Sequence, residues 1–143
     1  MNIAIVDDQI SELNAAKSYL LDFLQHNYKN LDVNIQTFSS AKDFLDVFKV
    51  GVFQLVMLDI IMPDINGMQT AQIIRARGDN DVNIVFLTSS EDFFLNGYRV
   101  FAIGYFVKPI TDHEDHFTKT FEYIFPKIII FCAIMNENSE PLP

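Results

Sequence analysis

The sequence predicts an α/β fold in which five parallel strands form one sheet with helices on both faces. Short apolar runs alternate five times with stretches whose apolar residues recur at helical spacing, an order typical of parallel sheets. Three runs, at residues 3–6, 55–58 and 84–87, are continuously apolar, which indicates strands buried on both faces. Polar residues with possible chemical roles follow four of the five runs, and ligands bind at that edge of such sheets.

The first two strand–helix units occupy the amino-terminal third of the chain. Residues 3–6 predict the first strand, and apolar residues between about 11 and 25 recur at helical spacing. Residues 33–38 alternate between polar and apolar side chains, as a second strand does. Ser39 and Ser40 then offer an N-cap for the second helix. The apolar residues of that helix are Phe44, Leu45 and Phe48.

The third unit begins with the apolar run at residues 55–58, which ends at Asp59. Pro63 and Gly67 mark the loop after it. The next helix ends near residues 77–78, where an arginine and a glycine suit a helix carboxyl end. Its apolar residues are Met68, Ala71, Ile73 and Ile74.

The last two strands also end at polar residues. The run at residues 84–87 predicts the fourth strand, and Thr88 follows it. Aromatic residues between 93 and 98 suggest a short helix, and residues 105–107 predict a fifth strand that ends at Lys108. The topology therefore predicts that these polar residues meet at one edge of the sheet.

The carboxyl-terminal part departs from this pattern. Pro126 is expected to break or kink the last helix, predicted at residues 112–124. Residues 127–135 form an apolar run of strand-like composition, which either packs back on the domain as a strand or helical turn or is exposed and promotes association. We therefore predict one domain at residues 1–125, followed at residues 126–143 by an apolar segment and a polar tail without an output domain.

Composition and charge exclude several classes of protein. The chain has 143 residues, 50% of them hydrophobic and 20% charged, which excludes an intrinsically disordered chain. A net charge of −9 argues against direct nucleic-acid binding, which needs clustered basic residues. Cys132 is the only cysteine, so an intrachain disulfide framework is excluded. No apolar run approaches the ~20 residues of a membrane span, and we expect a cytoplasmic protein.

The polar residues at the strand ends suggest phosphoryl chemistry. The carboxylates of Asp7, Asp8 and Asp59 repel one another unless a cation neutralises them, and Mg²⁺ prefers such oxygen ligands. One carboxylate could then act as a nucleophile toward phosphorus. The Lys108 ammonium and the Thr88 hydroxyl could bind phosphoryl oxygens. Taken singly, each of these residues could instead be an ordinary cap or turn residue, and the prediction depends on their joint occurrence at strand ends.

Four segments make the chain resemble the response-regulator receiver domains of two-component signalling. These segments are IVDD at residues 5–8, LDIIMPDING at 58–67, FLTS at 86–89 and YFVKP at 105–109. The stretch GYRVFAIGY at 97–105 is most similar to receivers of LytTR-type regulators. The resemblance covers about residues 1–125 and implies a flavodoxin-like, doubly wound (βα)5 fold.

The resemblance also implies roles for the acidic residues. Asp59 would be the phosphoacceptor. Asp8 and Asp59 would bind Mg²⁺ directly together with the backbone carbonyl of Ile61, and Asp7 would act largely through water. Lys108 would contact the phosphoryl group. Because Ile61 would contribute only its carbonyl, its apolar side chain is compatible with this role.

Further implied roles concern the switch. The Lys108–Pro109 peptide bond would be cis, and Gly67 would adopt the backbone conformation needed to turn into the third helix. Thr88 and Tyr105 would move when Asp59 is phosphorylated and would repack the face formed by the short fourth helix, the fifth strand and the last helix. The expected partners are a sensor histidine kinase and, through that face, a second copy of the chain. The output would be transcription regulation if the chain is part of a LytTR-type regulator.

Two other functions fit parts of the sequence. A constitutive, unphosphorylated interaction module could keep the fold without phosphoryl chemistry. Such a degenerate receiver, however, should have lost one of the acidic, threonine and lysine residues at the strand ends. A Mg²⁺-dependent phosphohydrolase with an aspartate nucleophile would need a second aspartate where Ile61 stands. The sequence also lacks a Walker A motif and a glycine-rich dinucleotide fingerprint. We therefore expect a phosphoacceptor that is not an enzyme and loses its phosphoryl group only slowly.

Overall fold

A computed structural model describes residues 1–139 of the chain, so part of the predicted polar tail lies outside the described residues. Strands and helices alternate along this part of the chain. The strands are β1 (Asn2–Val6), β2 (Asn34–Phe38), β3 (Leu55–Asp59), β4 (Asn83–Thr88) and β5 (Gly104–Val107). The helices are α1 (Ile10–Asn27), α2 (Ala41–Val47), α3 (Gly67–Ala76), α4 (Phe94–Arg99) and α5 (Glu114–Ser139). A 3₁₀ turn (Ile110–His113) precedes α5.

The strands form one parallel sheet in the order β2-β1-β3-β4-β5. The chain moves outward from β1 to β2 and then returns to β3 on the other side of β1, so the topological switch point lies between β1 and β3. Val6 pairs with Leu58, and Thr88 pairs with Val107. This register brings the residues that follow β1, β3, β4 and β5 to one edge of the sheet. The predicted doubly wound fold is confirmed.

Two apolar layers hold the helices on the sheet. On one face, side chains of β1, β3, β4 and β5 pack against α1 and α5; Leu20, Phe106 and Phe121 are fully or almost fully buried there. On the other face, Phe44 of α2 and Ile74 of α3 pack on the same sheet. Burying both faces explains why the central strands are continuously apolar in sequence.

The predicted elements up to β5 lie within two residues of those observed. The predicted cap of α2 is confirmed, since the Ser40 side chain accepts a hydrogen bond from the Asp43 backbone N–H at 3.1 Å. Asn66 and Gln69 form a reciprocal capping box at the start of α3. The box fixes the point at which the loop after β3 turns into α3.

Of the predicted break or kink at Pro126, the break is wrong, because α5 continues through this residue to Ser139. Proline removes one helical hydrogen bond, but Pro126 is exposed, so the carbonyl that loses its donor lies on the solvent side of the helix. Phe125 and Ile128 are buried on either side of it and hold the helix on the core. The apolar segment is therefore helical rather than a strand. Ile128 and Cys132 pack on the core, whereas Ile130, Phe131, Ile134 and Met135 are exposed. Within residues 1–139, no helix combines the length and hydropathy needed to cross a membrane.

Candidate functional site

The three predicted carboxylates meet at the carboxyl edge of the sheet. Asp7 follows β1 and Asp59 ends the neighbouring β3. Their side chains are buried, at 0% and 2% exposure, whereas Asp8 is exposed. One carboxylate oxygen from each of the three lies within 4.8 Å of the other two. The structure thus brings together residues that are more than fifty positions apart in sequence.

Lys108 reaches the same pocket from the loop after β5. Its backbone N–H donates to the Thr88 carbonyl at 2.7 Å, which continues the pairing of β4 with β5. Its ammonium nitrogen lies 2.7 Å from Oδ2 of Asp7 and 3.4 Å from Oδ1 of Asp59. The Lys108–Pro109 peptide bond is cis, the form that the resemblance implies. The pocket therefore holds one buried cation beside two buried carboxylates.

One lysine does not balance the charge of this pocket. Burial, and after it the nearby Asp7 carboxylate, raise the pKa of Asp59 to about 7, although the Lys108 ammonium opposes the shift. Burial disfavours the charged form of an acid, and a like charge nearby adds to that effect. A second cation in the pocket would therefore stabilise the charged form of Asp59.

The donor set suits a magnesium ion. Mg²⁺ binds oxygen ligands, keeps several waters and usually takes one or two carboxylates from a protein. Asp8 and Asp59 offer such oxygens, and the exposure of Asp8 leaves room for water. Ile61 lies in the loop directly after β3, which places its backbone at the same edge of the sheet, and its side chain is exposed. The residues present therefore fit the metal that the fold family implies.

The two predicted switch residues are linked through Ser90. Thr88 is fully buried, and its hydroxyl accepts a hydrogen bond from the Ser90 N–H at 3.3 Å. The Tyr105 hydroxyl donates to the Ser90 carbonyl at 2.7 Å. The Tyr105 ring packs against Phe94 at the start of α4, with ring centroids 5.4 Å apart. A change at Thr88 can therefore reach Tyr105 and α4 through one residue.

Gly67 is needed for a reason that differs from the expected one. A Cβ atom added to it would lie 2.1 Å from the Asp59 carbonyl oxygen and 2.9 Å from Cα of Ile60. The Gly67 N–H also donates to the Ile60 carbonyl at 2.8 Å. Among the glycines, positive φ values occur instead at Gly51 and Gly78. Gly67 begins α3, as expected, but without a positive φ, so close packing of α3 on the end of β3 is what requires the glycine.

Gln9 is a site residue that the sequence interpretation missed. Its side-chain carbonyl accepts a hydrogen bond from the Lys108 ammonium at 3.3 Å. Its backbone N–H donates to Oδ1 of Asp7 at 2.9 Å. Gln9 therefore contacts both members of the 2.7 Å ion pair. Its position directly after the acidic pair was the available signal.

Comparison with known proteins agrees with this geometry. The family model of the response regulator receiver domain matches residues 3–119. The positive alginate biosynthesis regulatory protein of Pseudomonas aeruginosa is 30% identical over 114 residues, which are 80% of this chain and 44% of that protein. The sensory transduction protein LytT of Oceanobacillus iheyensis is 26% identical over 115 residues, again 80% and 44% of the two chains. This chain thus spans less than half the length of these curated relatives.

Solved structures show the same architecture. A CheY-like receiver domain protein from Methanospirillum hungatei is 28% identical, with a TM-score of 0.64 over 86% of this chain and 93% of that chain. Chemotaxis protein CheY4 of Vibrio cholerae, at 23% identity, shares the fold with a TM-score of 0.68 over 86% and 97% of the two chains. Because the family model spans most of this chain, the chain belongs to the response regulator receiver domain family of two-component signalling.

Proposed function

We propose that this chain accepts a phosphoryl group from a sensor histidine kinase onto Asp59 and that this step controls a partner or an output domain. The observation that carries the proposal is the pocket itself. Asp59 is buried beside a second buried carboxylate, with the Lys108 ammonium 3.4 Å away and an Asp8 carboxylate oxygen within 4.8 Å of its own. A structural ion pair alone would not need a third carboxylate beside the two that the Lys108 ammonium contacts.

The transfer step follows from the chemistry of a carboxylate nucleophile. An oxygen of Asp59 attacks phosphorus, the bond from phosphorus to the donor histidine nitrogen breaks, and the imidazole nitrogen keeps the electron pair. A bound Mg²⁺ supplies positive charge to the pocket and to the phosphoryl oxygens. Lys108 leaves Asp7 in part and contacts a phosphoryl oxygen as a point charge. The Thr88 hydroxyl then donates to another phosphoryl oxygen.

The Thr88 movement transmits the change to the surface. When the Thr88 hydroxyl turns to the phosphoryl group, it releases the Ser90 N–H and alters the segment that also holds the Tyr105 hydroxyl. We define the switch face as the surface of α4, β5 and α5. Leu95, Tyr98 and Phe101 on or beside α4 are 79%, 84% and 76% exposed, which favours a second copy of the chain or another apolar partner at this face.

We propose that the chain is a phosphoacceptor rather than an enzyme, with slow loss of the phosphoryl group. By the resemblance to receiver domains, Ile61 and Ser90 would flank the approach of a hydrolytic water, and neither is an acid or an amide that could orient the water. We expect a half-life of minutes or longer for phosphorylated protein without added phosphatase, measured by intact mass after removal of the donor. Loss within seconds would contradict this assignment of the flanking positions.

The output and the location remain predictions. The similarity to LytT and to the alginate regulatory protein favours a part in transcription regulation. A net charge of −9 argues against nucleic-acid contacts by this chain itself, so any such contact would come from a partner or a further domain. We expect the protein to act in the cytoplasm, where it would meet the kinase.

Intact-mass measurement separates the three candidate functions. The protein is incubated with Mg²⁺ and a small acyl phosphate, beside Asp59→Asn and the control Asp22→Asn, which changes an exposed aspartate of α1. One added phosphoryl group in the wild type and the control, absent from Asp59→Asn, supports the proposal. An unmodified wild type would favour the constitutive module. Rapid consumption of the donor without a lasting adduct would favour a phosphohydrolase.

A further inference from the structure

Arg75 forms an unusual set of hydrogen bonds on the side of the molecule away from the acidic pocket. It lies near the carboxyl end of α3 and is half-buried. Its guanidinium donates to four backbone carbonyls. The acceptors are Val100 at 2.8 Å, Val82 at 2.8 Å, Asp79 at 3.0 Å and Phe101 at 3.4 Å. A guanidinium has five N–H donors in a rigid fork, so this side chain is used almost completely.

The four carbonyls belong to two separate turns. Asp79 and Val82 lie in the turn between α3 and β4, while Val100 and Phe101 lie in the turn between α4 and β5. Arg75 therefore joins the carboxyl end of α4 to α3 and to the start of β4. A cation at the carboxyl end of a helix also interacts favourably with the helix dipole.

Phe101 shows that this turn is held in a specific conformation. Its φ is +56°, in the left-handed region that a bulky residue rarely adopts. The same residue presents a ring that is 76% exposed. Since Arg75 binds the carbonyls of Val100 and Phe101, it stabilises the backbone that points the Phe101 ring outward.

The two ends of α4 are thus held differently. The carboxyl end is bound to Arg75, and the Gly97 carbonyl accepts from the Ala102 N–H at 3.1 Å. The amino end follows Ser90 and begins with Phe94, whose ring touches Tyr105. This arrangement leaves the switch residues in contact with the end of α4 that is farther from Arg75.

We propose that Arg75 is a positioning residue that fixes the carboxyl end of α4 and the Phe101 backbone, so that phosphorylation moves the amino end of α4 about this point. The movement of α4 in this inference rests on the proposed function, whereas the fixation of its carboxyl end by Arg75 does not. Without Arg75 the turn at residues 100–103 would open in the unmodified protein, and a movement of α4 would no longer be confined to its amino end.

Hydrogen exchange of the full chain tests the proposal in two states, unmodified and treated with Mg²⁺ and a small acyl phosphate. The variants are Arg75→Met, Arg75→Gln and the matched control Arg77→Met. Arg77 also lies at the end of α3, but it donates to the Leu45 carbonyl, and its guanidinium carbon lies over the Phe48 ring, 5.9 Å from the ring centroid. Intact mass is recorded for every sample, so failure of phosphorylation is detected separately from failure of the proposal.

In the unmodified state, we expect the amides of residues 100–103 to exchange about tenfold faster in Arg75→Met than in the wild type and in Arg77→Met. Arg75→Gln, which retains two donors, should fall between them. In the wild type, phosphorylation should change amide exchange at residues 89–95. Only in the Arg75 variants should this change in exchange extend to residues 100–103. A purely stabilising role would raise exchange throughout the domain and would leave the pattern caused by phosphorylation unchanged.

A second comparison keeps the proposal testable if Arg75→Met folds poorly. Phe101→Gly removes the strain of the left-handed conformation, so Arg75→Gln should increase exchange at residues 100–103 less in a Phe101→Gly background than in the wild-type background. Equal increases in the two backgrounds would overturn the link to Phe101. Unchanged exchange at residues 100–103 in both Arg75 variants would overturn the proposal as a whole.

Discussion

Replacing Gly67 with alanine is expected to lower the free energy of unfolding by about 3 kcal/mol, the upper part of the usual range for overpacking. The added Cβ would lie 2.1 Å from a backbone carbonyl oxygen of Asp59, so no side-chain rotation can relieve the contact. Either α3 moves away from β3 or the end of β3 shifts. Because Asp59 is the affected residue, the same substitution should also weaken Mg²⁺ binding. Urea unfolding with and without Mg²⁺ measures both effects.

Gly97→Ala is the matched control. A Cβ at this residue of α4 would meet the Phe86 ring at 3.5 Å, an ordinary contact distance. Alanine in a helix is also favoured over glycine by about 0.5–1 kcal/mol. The control should therefore be neutral or slightly stabilising. A Gly67→Ala protein as stable as the wild type would contradict the close packing at the end of β3.

In the absence of metal, Asp59→Asn is expected to raise the free energy of unfolding by about 2 kcal/mol near pH 8. The wild-type protein holds the charged Asp59 side chain in a buried site beside Asp7. An amide keeps the size of the side chain and removes both the desolvation cost and the like-charge repulsion. Chemical unfolding in the presence of a chelator measures this difference.

The pH dependence has a definite sign. The pKa of Asp59 is raised to about 7 in the folded protein, against an ordinary value of about 3.9 in an unfolded chain. The folded state therefore binds the proton more tightly, and the stability due to that proton is lost as pH rises from about 4 to 7. The advantage of Asp59→Asn should grow over that range and level off above it.

Mg²⁺ should reduce or reverse the difference in the free energy of unfolding between Asp59→Asn and the wild type. An ion that binds only the folded state raises the free energy of unfolding by about 2.7 kcal/mol when its free concentration is one hundred times its dissociation constant. This increase should be much smaller in Asp59→Asn. Asp79→Asn is the control, because the buried Asp79 carboxylate accepts N–H bonds from Gly51, Asp81 and Val82. That substitution should destabilise the protein with or without Mg²⁺. A destabilising effect of Asp59→Asn in chelator would contradict the electrostatic account of the pocket.

The sequence was most informative where local pattern and topology agree. Continuous apolar runs define buried strands, and parallel strands bring their carboxyl ends to one edge. The meeting of Asp7, Asp59 and Lys108 followed from those two facts, although no single residue indicated it. Ser40 was predictable as a cap because its signal lies within a few residues.

Features that depend on tertiary packing could not be predicted in the same way. Proline is unfavourable inside a helix, but the buried side chains of Phe125 and Ile128 hold α5 on the core on both sides of Pro126. The need for Gly67 depends on the distance between α3 and β3. The Arg75 contacts join two turns that lie about twenty residues apart in sequence. Each of these results from a long-range contact that leaves no periodic signal in the sequence.

The central claim is that Asp59 accepts the phosphoryl group in a pocket that needs a metal ion. Borohydride reduces an aspartyl phosphate to homoserine, and peptide mapping then identifies the modified position. After treatment with a small acyl phosphate and Mg²⁺, we expect homoserine at residue 59, and we expect none when Mg²⁺ is replaced by a chelator. Homoserine at another carboxylate, or equal modification of Asp59 without a divalent metal, would contradict the account.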